Sequence, residues 1–198
     1  MAKAIERRGG ANPWRIAGWS FAALLLLLPL VAMHFTAEVN WTASDFAVAA
    51  VMIGAVGTAF EVTVRATRNT AYRGALAIAL AAAFLLIWIN GAVGIIGDED
   101  NPLNLLYFGV IAIAFGGIAW SRFQARGAAR AMMAAAIANA AVGVVAVIGG
   151  RNEPPGIVGL VALNGFFVLL FLGAAWLFGI AAASEGAPTE PDPSADIT

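Results

Sequence analysis

The sequence predicts an all-α, polytopic membrane protein with six transmembrane helices and both termini in the cytoplasm. Hydrophobic residues make up 61% of the chain and charged residues only 12%, whereas a soluble domain carries roughly 25% charged residues. Six long stretches are nearly free of charge, and basic and acidic residues alternate between the segments that connect them. These three observations exclude an ordinary soluble domain and favour six membrane crossings.

The basic residues are gathered in three short clusters, which hold ten of the eleven Lys and Arg residues. They lie before the first apolar stretch, between the second and third, and between the fourth and fifth: Lys3, Arg7, Arg8 and Arg15; Arg65, Arg68 and Arg73; Arg122, Arg126 and Arg130. The other connections carry the acids Glu38, Asp45, Asp98, Glu99 and Asp100, and Glu153 beside Arg151. Because basic connections stay on the cytoplasmic side, this alternation predicts the orientation of every helix.

The predicted spans follow from the length that a helix needs to cross the hydrocarbon core, about 20 residues. In chain order they are 16–37, 46–64, 74–97, 102–121, 131–150 and 156–183, which form a single transmembrane domain over 16–183 after a basic cytoplasmic segment, 1–15. The first span could also be a signal peptide, but its apolar stretch is long and no cleavage site stands out after it, which favours a retained helix. Residues 184–198 combine three prolines with four acids, so they predict a disordered cytoplasmic tail.

An acidic turn on the outer side connects the third and fourth spans. Gly97 is suited to the C-cap of one helix, Asn101 to the N-cap of the next, and Pro102 to its first position. The outer acidic patch between these residues comprises Asp98, Glu99 and Asp100. It can be a solvated cap at the positive end of the fourth helix, a partner-binding patch or a calcium site. Calcium needs six or more oxygen ligands, so the solvated cap is favoured and no metal site is predicted.

Four polar residues inside the spans form a candidate intramembrane polar cluster: Asn90, Asn139, Asn164 and Glu61. The three amides fall on three helices, and the helical rise places Asn139 and Asn164 near the middle of the bilayer and Asn90 in its outer half. Buried amides in a membrane either bond between helices or line a polar cavity for a small solute. Bonding between helices is the favoured interpretation, and the cavity stays open as the alternative.

Glu61 is the only carboxylate inside a predicted span. It precedes Arg65 by four residues, the favourable order for an ion pair on one helix, and it lies near the cytoplasmic headgroups. The favoured interpretation is an interfacial pair that seats the helix. The alternative is a carboxylate that handles protons or cations at the mouth of a pathway.

Small residues recur every four positions on the fifth span, at Ala131, Ala135, Asn139 and Gly143. This spacing puts them on one face, where a neighbouring helix can approach to backbone contact. The two hairpins from the third to the sixth span also share a feature, because Arg65 and Arg73 match Arg122 and Arg130 at one constant offset. Either the hairpins are a duplication or both simply obey the rule for basic cytoplasmic turns.

The composition predicts no catalytic residue, no cofactor and no metal ion. Cysteine is absent, which removes disulfides, iron–sulfur clusters and thiol nucleophiles. The single histidine, His34, cannot supply both axial ligands of a b-type haem. The net charge of −1 predicts no nucleic-acid partner. The expected partners are membrane lipids and another membrane protein or a second copy of the chain.

The stretch 88–97 reads Trp-Ile-Asn-Gly-Ala-Val-Gly-Ile-Ile-Gly, and Glu99–Pro102, Asn104-Leu105 and Tyr107–Gly109 follow it. These residues resemble a signature of a family of small multi-pass bacterial inner-membrane proteins. The resemblance covers roughly residues 84–126. The family has no assigned activity, so the resemblance implies a bacterial inner-membrane location and assigns no role to any residue.

Three classes of function remain, and they need different residues. An accessory or structural membrane protein needs stable spans and close packing, which the sequence provides. A transporter or channel needs a polar path, for which the candidate polar cluster supplies the only residues. An intramembrane enzyme is least favoured, because no Ser–His or His–carboxylate constellation is present. A cavity that joins the buried amides to either surface would distinguish the first two classes.

Overall fold

The computed structural model describes residues 13–37 and 39–186, apart from the side chain of Trp14. This part of the chain is helical except for its turns. Its helices are α1 (Pro13–Ala32), α2 (Ala43–Ala66), α3 (Thr70–Ala92), α4 (Leu105–Trp120, after a 3₁₀ turn at Pro102–Asn104), α5 (Ala125–Gly149) and α6 (Gly156–Glu185). All six, with the 3₁₀ turn counted in α4, are long and apolar enough to cross a membrane. The prediction of an all-α, multi-pass membrane protein with six spanning helices is confirmed.

The helices group into two compact units. The first contains α1 and α2 as far as Val62, and the second runs from Thr63 onward. The prediction of a single domain over 16–183 stays a prediction. The basic segment 1–15 and the disordered tail stay predictions as well, because residues 1–12, Glu38 and residues 187–198 lie outside the described residues.

The first unit is a helical pair whose surface is largely exposed and apolar. Helix α2 starts at Ala43, three residues before the second predicted span, and a capping box marks its start. In this box Asp45 Oδ2 accepts hydrogen bonds from the backbone N–H of Thr42 at 2.7 Å and from Thr42 Oγ1 at 2.8 Å. Helix α1 ends at Ala32 and a turn follows, whereas the first predicted span continues to residue 37.

The second unit is a bundle of α3, α4, α5 and α6. The pair α5–α6 has the most extensive contact, α6 also packs on α3, and α5 also packs on α4. By contrast, α3 and α4 touch each other only slightly. The bundle therefore has three tight helix pairs and one loose seam, which runs between α3 and α4.

The small residues predicted on one face of α5 lie inside this bundle. Ala131, Ala135, Asn139 and Gly143 are all buried. A Cβ built on Gly143 would lie 3.0 Å from Cβ of Asn164 on α6, and one built on Gly117 of α4 would lie 2.6 Å from Cβ of Ala131. Helix α5 thus approaches both neighbours closely enough that larger side chains would clash.

Turns of like charge lie at the same end of the bundle. At one end Tyr72 Oη donates to the carbonyl of Phe123 at 2.9 Å, and Asn69 Nδ2 donates to Ser184 Oγ at 2.9 Å. These bonds join the two arginine-bearing turns and the end of α6. At the opposite end the N–H of Gly97 donates to the carbonyl of Pro154 at 2.9 Å, which joins the two acidic turns.

The end of α3 differs from the prediction. The helix stops at Ala92, five residues before the predicted end at Gly97, and Gly94 then adopts a left-handed φ of +72°. A side chain at Gly94 would collide with the backbone of Asp98, so the chain folds back tightly here. Gly97 therefore belongs to the turn and does not cap the helix. The predicted cap at Asn101 is confirmed, because its side chain accepts from the N–H of Leu103 at 3.0 Å, and Pro102 opens the 3₁₀ turn.

Candidate functional site

Three buried side chains meet between α4, α5 and α6, and we call Tyr107, Asn139 and Asn164 the central polar cluster. Tyr107 Oη donates to Asn164 Oδ1 at 3.1 Å, and Asn139 Nδ2 donates to the backbone carbonyl of Asn164 at 3.2 Å. Asn164 Nδ2 in turn donates to the carbonyl of Leu160 at 2.9 Å within α6. One residue, Asn164, therefore ties three helices together through its side chain and its backbone carbonyl.

The helices present these groups inward because of their periodicity. On α4 the buried positions are Tyr107, Val110, Ala114 and Ile118, spaced three or four residues apart. Asn139 lies on the small-residue face of α5. Helix α6 therefore comes close enough for the side-chain amide of Asn139 to reach the backbone carbonyl of Asn164. In hydrocarbon each such group must find a protein partner, and a bond between helices contributes about 0.6 kcal/mol on average.

The central polar cluster leaves one acceptor unused. Asn139 is fully buried, and its Oδ1 accepts no hydrogen bond from the residues that the structure describes. An unsatisfied buried acceptor costs about 1–3 kcal/mol. The cluster therefore fixes the register of three helices more than it adds net stability.

Asn90 does not join the central polar cluster. Its Nδ2 donates to the carbonyl of Leu86 in the same helix at 2.8 Å, and its buried Oδ1 accepts no hydrogen bond from the described part of the chain. The structure thus bonds the Asn139 side chain to the backbone of Asn164 and places the third predicted amide elsewhere on α3.

Glu61 binds two side chains of α1. It forms an ion pair with Arg15 and accepts a hydrogen bond from Trp19 Nε1 at 3.0 Å. The Trp19 ring also packs on α2, where a Cβ built on Gly57 would lie 3.1 Å from it. These bonds connect two helices of the first unit, and the predicted pair between Glu61 and Arg65 on one helix stays a prediction. The glutamate therefore helps to hold α1 against α2.

Asn104 organises the outer acidic turn, although it is not among the predicted site residues. Its Oδ1 accepts from the N–H groups of Ile95 and Ile96 at 3.2 and 3.0 Å. Its Nδ2 donates to the carbonyls of Ile96 and Asp98 at 3.3 and 2.7 Å. All hydrogen-bonding groups of one buried amide thus hold a single turn. An asparagine three positions after the cap Asn101 is the signal in the sequence that could have indicated it.

The outer acidic patch borders a pocket of about 380 Å³ between the end of α3 and the start of α4. Its wall includes Asn90, Glu99, Asp100, Asn101, Leu105 and Phe108. All three acids of the patch are exposed, but Asp98 does not line the pocket. Within the described residues, no three His, Cys, Asp or Glu side chains are placed so that they could hold a metal ion together.

Comparison with known proteins gives no match, whether the chain is compared with family models, with curated proteins or with solved structures. The resemblance around 84–126 thus stays a prediction.

Proposed function

We propose that this protein is an accessory or structural protein of a bacterial inner membrane, with a firmly packed bundle that supports another membrane protein or a second copy of the chain. One observation carries the proposal. The buried polar groups of the central polar cluster make hydrogen bonds that join α4, α5 and α6. Side chains that served a moving solute would instead have to exchange partners with it.

The proposed orientation places both termini in the cytoplasm. The turns that carry Arg68 and Arg122 lie at one end of the bundle, whereas the turns that carry Asp98 and Glu153 lie at the other. This separation agrees with the rule that basic turns stay inside. The bacterial inner membrane is proposed from the resemblance and from the same distribution of charge.

We propose no enzymatic step, no cofactor and no nucleic-acid partner for this protein. The proposed partners of the protein are membrane lipids and another protein within the membrane. Many large apolar side chains are exposed on every helix of the first unit, for example Phe21 and Leu24 on α1 and Val51 on α2. In a bilayer such surfaces face either lipid or another transmembrane helix.

A small-solute transporter is the second candidate, and one observation favours it. Oδ1 of Asn90 and Oδ1 of Asn139 are buried acceptors without a partner among the described residues. A hydrogen-bond donor that passed through the bundle could use both oxygens in turn.

Paired measurements on reconstituted protein separate the two candidates. Wild-type protein in liposomes should pass small polar solutes no faster than protein-free liposomes do. Asn139→Ala should change thermal stability only slightly, because it removes one interhelical bond together with an unsatisfied acceptor. Crosslinking in intact native membranes should yield one defined complex of higher mass.

Solute flux that depends on Asn139 would favour the transporter instead. This outcome requires that wild-type protein raises permeability and that Asn139→Ala abolishes the increase while the melting temperature stays unchanged.

A further inference from the structure

A row of exposed arginines lies at the start of α5. Arg126 and Arg130 are four residues apart, which places them on one face of the helix, and Arg122 lies in the turn just before it. We call these three residues the arginine face. Farther along the same side of α5 the exposed residues Met133 and Ile137 are apolar. This side therefore changes from cationic to apolar from the end of a membrane-spanning helix toward its middle.

The arginine face has no counter-ion in the part of the chain that the structure describes. Its three side chains make neither an ion pair nor a hydrogen bond with any described residue. Arg73, at the same end of the bundle, shows the contrast, because its guanidinium donates to the carbonyls of Val64 and Thr67 at 2.6 and 2.8 Å. Each guanidinium has five N–H donors. The arginine face thus offers an unused set of donors and three positive charges to an anion.

The turn before α5 is held in its conformation by α3. Arg122 and Phe123 adopt left-handed φ angles of +52° and +63°, which are uncommon for residues other than glycine. The carbonyl of Phe123 accepts from Tyr72 Oη at 2.9 Å, and its N–H donates to the carbonyl of Ile118 at 3.0 Å. In this turn Phe123 is 65% exposed, and Trp120 beside it is 90% exposed. Exposed aromatic rings next to basic residues are typical of the level of the lipid headgroups.

A phosphate group matches the arginine face in charge and in geometry. A guanidinium has parallel N–H donors that can bind two oxygens of one phosphate, which an ammonium group cannot do. Arg130 lies roughly 8 Å along α5 from its first residue, in the layer where headgroups meet hydrocarbon. A phosphate at this level belongs to a lipid. An anionic headgroup is favoured over a zwitterionic one, because a zwitterionic headgroup brings a cation of its own to the three arginines.

We propose that the arginine face binds the headgroup phosphate of an anionic phospholipid such as phosphatidylglycerol. The acyl chains of this lipid lie along Met133 and Ile137, and its glycerol lies beside the rings of Trp120 and Phe123. The arginine face shares no residue with the central polar cluster. The lipid site can therefore be absent while the proposed supporting role holds, and the reverse is also true.

The test is native mass spectrometry of the full chain in detergent, with phosphatidylglycerol and phosphatidylcholine of identical acyl chains. One arginine near an anionic headgroup changes the affinity about fivefold. Phosphatidylglycerol should therefore bind at least about tenfold more tightly than phosphatidylcholine. Arg126→Gln should weaken phosphatidylglycerol binding about fivefold, and Arg126→Gln combined with Arg130→Gln about 25-fold.

Arg151→Gln is the matched control, because this exposed arginine lies beyond the opposite end of α5. It removes the same charge and should leave phosphatidylglycerol binding unchanged. The melting temperature of each variant checks that the bundle is folded. The proposal is overturned if phosphatidylcholine binds as well as phosphatidylglycerol does, or if the double variant binds phosphatidylglycerol as tightly as Arg151→Gln does.

Two competitors identify the occupant of the arginine face. Glycerol 3-phosphate carries the phosphate without acyl chains and should not displace the lipid at equal concentration; displacement would indicate a site for soluble phosphates and overturn the proposal. Residues 187–198 contain Glu190, Asp192 and Asp196 and no basic residue. If the chain binds phosphatidylglycerol only after these three acids are replaced by their amides, this segment covers the arginine face and the proposal is also overturned.

Discussion

The hydroxyl of Tyr107 is the donor that completes the central polar cluster. It supplies the hydrogen bond that Asn164 Oδ1 accepts, at a position where both side chains are at least 95% buried. Because protein covers both groups, water cannot reach Asn164 Oδ1 to replace this donor. Loss of the hydroxyl would therefore leave Asn164 Oδ1 buried without a hydrogen-bond donor. The free energy lost in this way exceeds the net contribution of an ordinary hydrogen bond to stability.

Tyr107→Phe should destabilise the bundle by about 1–3 kcal/mol, since it leaves Asn164 Oδ1 unsatisfied. Tyr72→Phe is the matched control, because the Tyr72 hydroxyl bonds to Phe123 at the end of the bundle, where water can take over. The control should cost less than about 1 kcal/mol. Reversible unfolding in mixed micelles measures both values. An equal or smaller loss for Tyr107→Phe would contradict the role of the central polar cluster.

Asn104→Ala should loosen the outer turn without melting the helices. It removes two acceptor bonds and two donor bonds that hold residues 95–98. Amide hydrogen exchange at Ile95 and Ile96, measured by NMR, should become faster by at least about tenfold, the factor that corresponds to 1.4 kcal/mol. The N–H of Val93, which bonds to Ile89, serves as the internal reference. Unchanged protection at Ile95 would show that Asn104 is not the anchor.

At the scale of the elements, close approach between α5 and its neighbours decides the shape of the bundle. Gly143 faces Asn164 across the α5–α6 contact, and Gly117 faces Ala131 across the α4–α5 contact. Apolar surface offers little net drive for association inside a membrane, so this contact and the few polar bonds carry the association.

Gly143→Val should destabilise the bundle by about 1–3 kcal/mol, because even a Cβ at this position lies 3.0 Å from Asn164. Gly165→Val on α6 is the control, since a Cβ there meets nothing within 4 Å. The control should change stability by less than about 0.5 kcal/mol. Thermal unfolding in detergent compares the two variants. Equal effects would indicate that the variants act through helix propensity and not through the contact.

The sequence predicted burial better than direction. The number of residues along the chain places Asn139 near the middle of its predicted span, and the structure buries its side chain in the protein. The same count could not predict that Asn90 stays apart, because the direction in which a side chain points depends on how the helices pack. Asn104 was missed for a related reason. Its four bonds form only after Gly94 turns the chain back, and a periodic pattern carries no signal for that turn.

At the scale of the whole molecule, charge is divided between the two ends of the second unit. Arginine-bearing turns share one end, and the outer acidic patch and Glu153 share the other. Moving the arginine turns through the hydrocarbon core would cost about 2.5–3.5 kcal/mol for each guanidinium. This separation should therefore hold the bundle in one orientation.

Because the chain contains no cysteine, variants with one introduced cysteine can test that orientation directly. Glu99→Cys should react with a membrane-impermeant maleimide in intact cells, because we expect the outer turn to face away from the cytoplasm. Arg68→Cys, also at an exposed position in a turn, should react only after the membrane is permeabilised. The reverse pattern would invert the topology.

The slight contact between α3 and α4 has a consequence for synthesis. Two neighbouring helices can usually pair as soon as they enter the membrane, but α3 gains its main partner only when α6, the last of the described helices, arrives. Until then α4 can pair with α5. Helix α3 remains in the bilayer without its main partner, and the N–H of Gly97 does not yet donate to the carbonyl of Pro154. A chain that stops before α6 should therefore remain unassembled and be recognised for degradation, so the bundle matures in one late step.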